Sequence, residues 1–178
     1  MKRHTKTSKH MASQKGFTLI EILIVVMVLG ILAMIIVPQI NVSTEDAKES
    51  TLSTNITALR NAIELYYHQH NGVYPGAVKV DGSASPTAAE AATAFVQQLT
   101  RYTEADGTVS VTKTADAKYG PYIKNGVLPT NPFNEMATVL CDVATTDITS
   151  KTSDATTGWK FYVITGNLMA NDGDHDDL

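Results

Sequence analysis

A length of 178 residues suits one folded domain with an appendage, and 43% hydrophobic with 18% charged residues excludes a disordered chain. The formal net charge is -4, but residues 17–178 contain nine Lys and Arg against 18 Asp and Glu, which excludes nucleic acid as the main partner. The single cysteine, Cys141, excludes an intrachain disulfide and a cysteine-based zinc site.

The first predicted element is a membrane-spanning helix over residues 17–40. Its sequence, FTLIEILIVVMVLGILAMIIVPQI, contains one charged residue, Glu21. About 20 mostly apolar residues cross a bilayer core of about 30 Å, so this segment is long enough if Glu21 lies near one interface. Residues 1–16 contain five Lys and Arg and no acid, which predicts a cytoplasmic N-terminus and an exported remainder.

Two other interpretations of this segment fit less well. A buried core helix is disfavoured because β-branched apolar residues occur on every side of the helix. A secretory signal peptide is disfavoured because the apolar run exceeds the usual 7–15 residues and no A-x-A-like site closes it.

An acid at a membrane edge also needs a cationic partner, and an amine released by cleavage would provide one next to Glu21.

The string Lys15-Gly16-Phe17-Thr18-Leu19-Ile20-Glu21 resembles the processing motif of prepilins, the precursors of type IV pilins and of the pseudopilins of type II secretion. The resemblance implies that a prepilin peptidase cuts after Gly16 on the cytoplasmic side and methylates the new amine of Phe17. It also implies that Glu21 pairs with the N-terminal amine of a neighbouring subunit during assembly. Pro38 stands where the family often has a helix-kinking proline.

Residues 1–16 are then a leader that is removed. Sixteen residues are many for the shorter-leader branch of the family. Met11 lies six residues before the cut, and Met11-Ala-Ser-Gln-Lys-Gly would be a leader of typical family length. The resemblance therefore favours translation from Met11, and peptides of the precursor that contain His4 or Lys6 would contradict it.

Residues 41–71 are predicted to continue the helix with one apolar face that packs on a small domain. That face consists of residues spaced 4, 3, 4 and 3 apart: Leu52, Ile56, Leu59, Ile63 and Tyr66. Pro38 removes a backbone donor and predicts a kink or local melting near residue 34. Asn71-Gly72 is predicted to end the helix, with Pro75 following.

Two further runs resemble the major, G-type pseudopilin of type II secretion. Residues 62–75, AIELYYHQHNGVYP, are similar to the end of its long helix, and residues 120–133, GPYIKNGVLPTNPF, are similar to its proline-rich turn. Together with the lack of a second cysteine for the C-terminal disulfide loop of many pilins, they favour the pseudopilin branch.

Residues 72–178 are predicted to form the globular domain. Helical spacing predicts a second helix over 86–102, weak alternation predicts a strand over 108–114, and Thr, Ser and Asp in 145–157 predict a loop. Residues 158–165 predict a strand that pairs with 139–143. The expected fold is α+β and pilin-like, with a long N-terminal helix, membrane-spanning in its first half, packed on a small antiparallel sheet.

The C-terminal tail is the one candidate metal site. Asp172, Asp174 and Asp176 alternate, as oxygen ligands of calcium often do, and the resemblance implies calcium in the C-terminal region. A solvated acidic tail is the preferred interpretation, because the run ends the chain and lacks the glutamate that closes an EF-hand. His68 and His70 are interpreted as helix-end polar residues, since i and i+2 do not share a helix face.

No Ser/His/Asp array, P-loop or H-E-x-x-H motif occurs, and Cys141 is interpreted as a buried apolar residue, so no enzymatic activity is expected. The resemblance implies a structural subunit of a type II secretion pseudopilus, anchored once in the bacterial inner membrane with a periplasmic domain. Its implied partners are other copies, minor pseudopilins, the prepilin peptidase and an inner-membrane assembly platform. The alternatives are a type IV pilin for adhesion or motility and, more distantly, an anchored or secreted periplasmic binding protein or enzyme.

Overall fold

The computed structural model describes residues 16–147, 149 and 151–175, with the backbone alone for residues 35–43. Lys15, Met11 and the rest of the predicted leader before Gly16 lie outside the described residues, and so does Asp176. The chain divides into two compact units, one that ends at Thr44 and one that begins at Glu45.

The first helix, α1 (Leu19–Gln69), belongs to both units. Its backbone is helical at residue 34 and through Pro38, so the local melting predicted there does not occur, while a kink stays a prediction. The end of the helix follows the sequence prediction. Asn71 and Gly72 adopt positive φ angles of 56° and 77°, and the Gly72 amide donates to the Tyr67 carbonyl at 3.0 Å. That bond satisfies a carbonyl of the last helical turn.

The apolar face predicted for α1 forms one side of the domain core. All five of its residues are at most 2% exposed. They share one cluster with residues of the second helix and of the sheet, among them Phe95, Leu99, Trp159, Phe161 and Leu168. The Arg60 guanidinium donates to the Leu168 carbonyl at 2.9 Å and adds a polar link between α1 and the sheet. The prediction that this helix packs on a small domain is therefore confirmed.

The second helix, α2 (Ala88–Thr100), lies inside the predicted 86–102. It begins with a capping box, in which Thr87 accepts from the Glu90 amide and the Glu90 carboxylate accepts from the Thr87 amide. A two-stranded antiparallel ribbon follows, β1 (Tyr102–Thr103) and β2 (Val109–Ser110). The strand expected over 108–114 is thus only two residues long.

The main sheet has three strands, β3 (Val139–Asp142), β4 (Trp159–Tyr162) and β5 (Asn167–Ala170), in that order. The sheet is mixed, which corrects the expected antiparallel one: β3 and β4 are parallel, and β4 and β5 are antiparallel. The loop between β3 and β4 explains the difference, because a connection of a dozen or more residues lets the chain return before the next strand begins. Predicting the pairing of 139–143 with 158–165 was right, but its direction was wrong and β5 was missed.

Candidate functional site

The predicted cleavage site lies immediately before α1 in exposed, non-helical chain. Gly16 is exposed, and a Cβ added to it would meet no atom within 4 Å. Phe17 is 85% exposed. The fold of this chain therefore imposes no glycine at position 16, and any requirement for glycine there must come from a protein that binds the site. Lys15, the remaining residue of the predicted processing site, lies outside the described part of the chain.

Glu21 occupies the third position of α1 and forms a capping box with Thr18. The Thr18 amide and hydroxyl each donate to Glu21 Oε2 at 2.7 Å, and the Glu21 amide donates to Thr18 Oγ1 at 3.3 Å. The negative side chain also lies at the positive end of the helix dipole. Glu21 thus has hydrogen-bond partners within its own chain. It lies four residues after Phe17, and cleavage after Gly16 would release the amine of Phe17.

The sequence did not lead us to predict that Thr18 forms hydrogen bonds with Glu21. The signal was present, because Thr18-Leu-Ile-Glu21 has the S/T-x-x-E spacing of a capping box directly before an apolar run. Pro38, the other residue assigned to assembly, lies in helical backbone, and its predicted role stays a prediction.

The first turns of α1 present apolar side chains that no other part of the described chain covers. Every large apolar residue from Phe17 to Met34 is between 48% and 92% exposed. An exposed apolar surface of this extent needs another hydrophobic partner. Within the described residues, no helix combines the length and the apolar character required to cross a membrane.

At the other end of the chain, Asp172 is held by protein groups. Its Oδ2 accepts from Asn131 Nδ2 at 2.7 Å, and its Oδ1 accepts from the amides of Asp174 and His175 at 3.1 and 3.0 Å. Desolvation raises the pKa of Asp172, but these hydrogen bonds outweigh it and the pKa lies below its usual value. The His175 ring also stacks on Phe133 with centroids 3.8 Å apart.

These contacts bear on the predicted calcium ligands. Both oxygens of Asp172 already accept hydrogen bonds, Asp174 is exposed, and Asp176 lies outside the described residues. Across the described ranges, no group of three His, Cys, Asp or Glu side chains could hold a metal ion. Calcium binding by the tail therefore stays a prediction, and the described residues present no preformed site for it.

His70 directly follows α1, at the helix end as interpreted, and its side chain is buried in the core. Its Nδ1 donates to the Tyr66 carbonyl at 2.8 Å, which places the lone pair on Nε2 to accept from Thr103 Oγ1 at 2.9 Å. Desolvation lowers the pKa of His70 and keeps the ring neutral. Cys141 is buried as predicted, and desolvation raises the pKa of its thiol to about 12, which is unsuited to a nucleophile.

Comparisons with known proteins agree with the sequence motif. The family model described as the prokaryotic N-terminal methylation motif matches residues 11–37. The type II secretion system core protein G of Aeromonas hydrophila is 31% identical over 120 residues, which cover 67% of this chain and 68% of that protein. The same-named protein of Vibrio cholerae is 45% identical over 67 residues, covering 38% of this chain and 45% of that protein.

A fimbrial protein of Pseudomonas aeruginosa is 31% identical over 130 residues, which cover 70% of this chain and 83% of that protein. The chain matches about half the length of several of the core protein G relatives, including those of V. cholerae and P. aeruginosa. No solved structure matches the chain significantly.

Proposed function

Because the chain belongs to the family of the type II secretion system core protein G, we propose that it is a structural, non-enzymatic subunit of a type II secretion pseudopilus. In this proposal the precursor is cut after Gly16 and methylated on Phe17. The mature chain then polymerises through its N-terminal helix, and the fibre helps to export folded proteins. Its partners are other copies, minor pseudopilins, the prepilin peptidase and the inner-membrane assembly platform.

The start of α1 is the observation that carries this proposal. The bond after Gly16 lies in exposed, non-helical chain, where a peptidase has access to the backbone. Cleavage leaves a cationic amine on Phe17, four residues before the carboxylate of Glu21. In a low-dielectric layer such charges attract strongly, and leaving either one unpaired is costly. The capping box with Thr18 satisfies Glu21 within its own chain until the amine of a neighbouring subunit replaces it.

We place the precursor in the bacterial inner membrane, with residues 17–40 as its single span, the N-terminus in the cytoplasm and the domain in the periplasm. The exposed apolar side chains from Phe17 to Met34 support this placement, since lipid covers them before assembly and neighbouring helices cover them afterwards. The five basic residues before the cut support the orientation.

Mass spectrometry of the protein from membranes of its native host tests the processing step. We expect a mature chain that begins with N-methyl-Phe17. A chain cut after the apolar run, or not cut at all, would overturn the proposal. Spectra of the unprocessed precursor determine whether it begins at Met1 or at Met11.

Glu21→Ala tests the assembly step, with Glu49→Ala as its matched control because Glu49 is an exposed acid on the same helix. We expect Glu21→Ala chains to be cut and methylated but to remain in the membrane as unassembled subunits. Glu49→Ala chains should assemble like the wild type. Normal fibres from Glu21→Ala would remove the assembly role of this carboxylate.

A type IV pilin is the second candidate, and the fimbrial relative favours it because the alignment covers 83% of that protein. The two functions differ in where the fibre is found. Long fibres sheared from the cell surface that contain this chain would favour a pilus. Confinement of the chain to the cell envelope would favour a pseudopilus.

A further inference from the structure

Two neighbouring concavities on the domain share Val127 and Leu128 in their walls, and we call them together the Val127 groove. The first has a volume of about 480 Å³, and its other lining residues are Asn55, Ala58 and Leu59 of α1 with Tyr122, Ile123, Asn125, Pro129 and Thr130. The second has a volume of about 370 Å³ and includes Val96 of α2. None of the uses proposed above for this chain involves this surface.

Val127 is the apolar side chain that the groove presents to solvent. It is 61% exposed, whereas the next residue, Leu128, is 3% exposed and belongs to the core cluster. The chain is fixed directly after this pair by two hydrogen bonds. Trp159 Nε1 donates to the Pro129 carbonyl at 2.8 Å, and Asn55 Nδ2 donates to the Thr130 carbonyl at 3.0 Å. Val127 is thus held in an exposed position, so little conformational entropy would be lost on binding.

The walls of the groove carry no charge. None of the residues that line either concavity is Asp, Glu, Lys or Arg. The adjoining stretch of α1, residues 50–59, is also uncharged. Its exposed threonines need no partner outside the helix, because the hydroxyls of Thr51, Thr54 and Thr57 each donate to the carbonyl four residues earlier at 2.8 Å. This part of the surface therefore suits an apolar contact.

The charge of the chain indicates which partner fits such a surface. Residues 17–178 have twice as many acids as bases, so two copies repel each other wherever their charged faces meet. Two copies can approach at an uncharged groove without that repulsion, because no like charges are brought together there. Asn55 and Ala58 also belong to the helix that begins with the exposed apolar turns already assigned to assembly.

We propose that the Val127 groove binds a second copy of this chain in the assembled fibre. The inference rests on the proposed function, because an open helical fibre needs contacts between different faces of successive subunits. The groove is one such face, and it receives a protruding segment of the neighbouring domain.

The test is made on the full-length chain in its native host. A photo-reactive phenylalanine analogue replaces Val127, and heavy-isotope and light copies of the chain are expressed together. We expect cross-linked peptides that join position 127 of a light copy to a heavy copy. The matched substitutions are Val127→Asp and, outside both walls, Val111→Asp, where Val111 is 76% exposed.

Val127→Asp is expected to reduce the yield of assembled fibre at least about tenfold, because it buries a charge at every subunit contact. Val111→Asp should leave the yield unchanged, and both chains should still be cut after Gly16. Fibres at wild-type yield from Val127→Asp would overturn the groove proposal and leave the proposed function intact. A cross-link to a different protein, or none at all, would also overturn it. If the wild-type chain is neither cut nor assembled, the proposed function fails and the groove proposal fails with it.

Discussion

The phenol of Tyr66 is the one buried side-chain polar group in the described residues without a hydrogen-bond partner, and its removal should stabilise the domain. Tyr66 is fully buried and its ring stacks on His70 with centroids 3.7 Å apart. The Gln98 side chain already uses both of its amide protons, on the carbonyls of Gly107 and Val78, and its oxygen accepts from the Gly76 amide. Folding desolvates this hydroxyl, and no protein group in the described residues forms a hydrogen bond with it.

Tyr66→Phe removes the hydroxyl and keeps the ring. An unsatisfied buried polar group costs about 1–3 kcal/mol of stability, which the substitution recovers. The small void that phenylalanine leaves is destabilising and offsets part of this gain. We expect a net gain of about 1 kcal/mol in the free energy of unfolding. The matched control is Tyr122→Phe, because the Tyr122 hydroxyl donates to Gln69 Oε1 at 2.7 Å. That substitution removes a satisfied bond and should cost about 0.5–1.5 kcal/mol.

Urea unfolding of residues 45–178 measures both effects. Every core residue that the structure describes lies between Leu52 and Ala170, and thus within residues 45–178. The single tryptophan, Trp159, is fully buried and reports unfolding by its fluorescence. The urea midpoints of the two variants should move in opposite directions, while the m-value stays that of the wild type. A loss of stability from Tyr66→Phe as large as that from Tyr122→Phe would refute the reasoning, since it would mean that the Tyr66 hydroxyl is satisfied.

Two further predictions concern the start of α2 and the C-terminal tail. Hydrogen bonds from the Thr87 backbone and from Lys79 lower the pKa of Glu90 from 4.5 to about 2. The ionised carboxylate therefore stabilises the domain above about pH 4.5, and this stabilisation is lost as the pH falls towards about 2. Thr87→Ala should lower the free energy of unfolding by about 1 kcal/mol at pH 7, measured by urea unfolding. The control is Thr93→Ala, in the middle of the helix, and an equal cost of the two substitutions would show that the cap is not formed. If the tail binds calcium, Ca²⁺ but not Mg²⁺ should raise the midpoint of thermal unfolding and Asp174→Asn should abolish the rise. An equal midpoint in Ca²⁺ and in a chelator would contradict the prediction that the tail binds calcium.

The helices could be predicted from the sequence because their signals are local. The face from Leu52 to Tyr66 repeats with the helical period, and Asn71-Gly72 supplies the left-handed residues that end a helix. The boundaries of α2 could have been sharper, because Thr87 and Glu90 have the spacing of a capping box. At the predicted cleavage site, the same spacing of Thr18 and Glu21 would have identified the hydrogen bonds that satisfy the carboxylate.

The sheet could be predicted only in part, because strand direction and pairing depend on contacts between distant segments. β5 has four residues and no alternation of its own, and it is defined by its pairing with β4. The burial of His70 is also a tertiary effect. Its position at a helix end suggests solvent, but Tyr66 and Thr103 enclose the ring and satisfy both nitrogens.

The core of the domain and the exposed apolar start of α1 belong to different units of the chain. The domain completes its core with residues from Leu52 onwards, so its folding does not depend on the side chains between Phe17 and Met34. If those side chains exchange lipid for neighbouring helices, as we propose, the stability of the domain should not change. The same separation gives the proposed function a clear consequence. Substitutions at Gly16 or Glu21 should alter processing or assembly while the domain unfolds at the wild-type urea concentration.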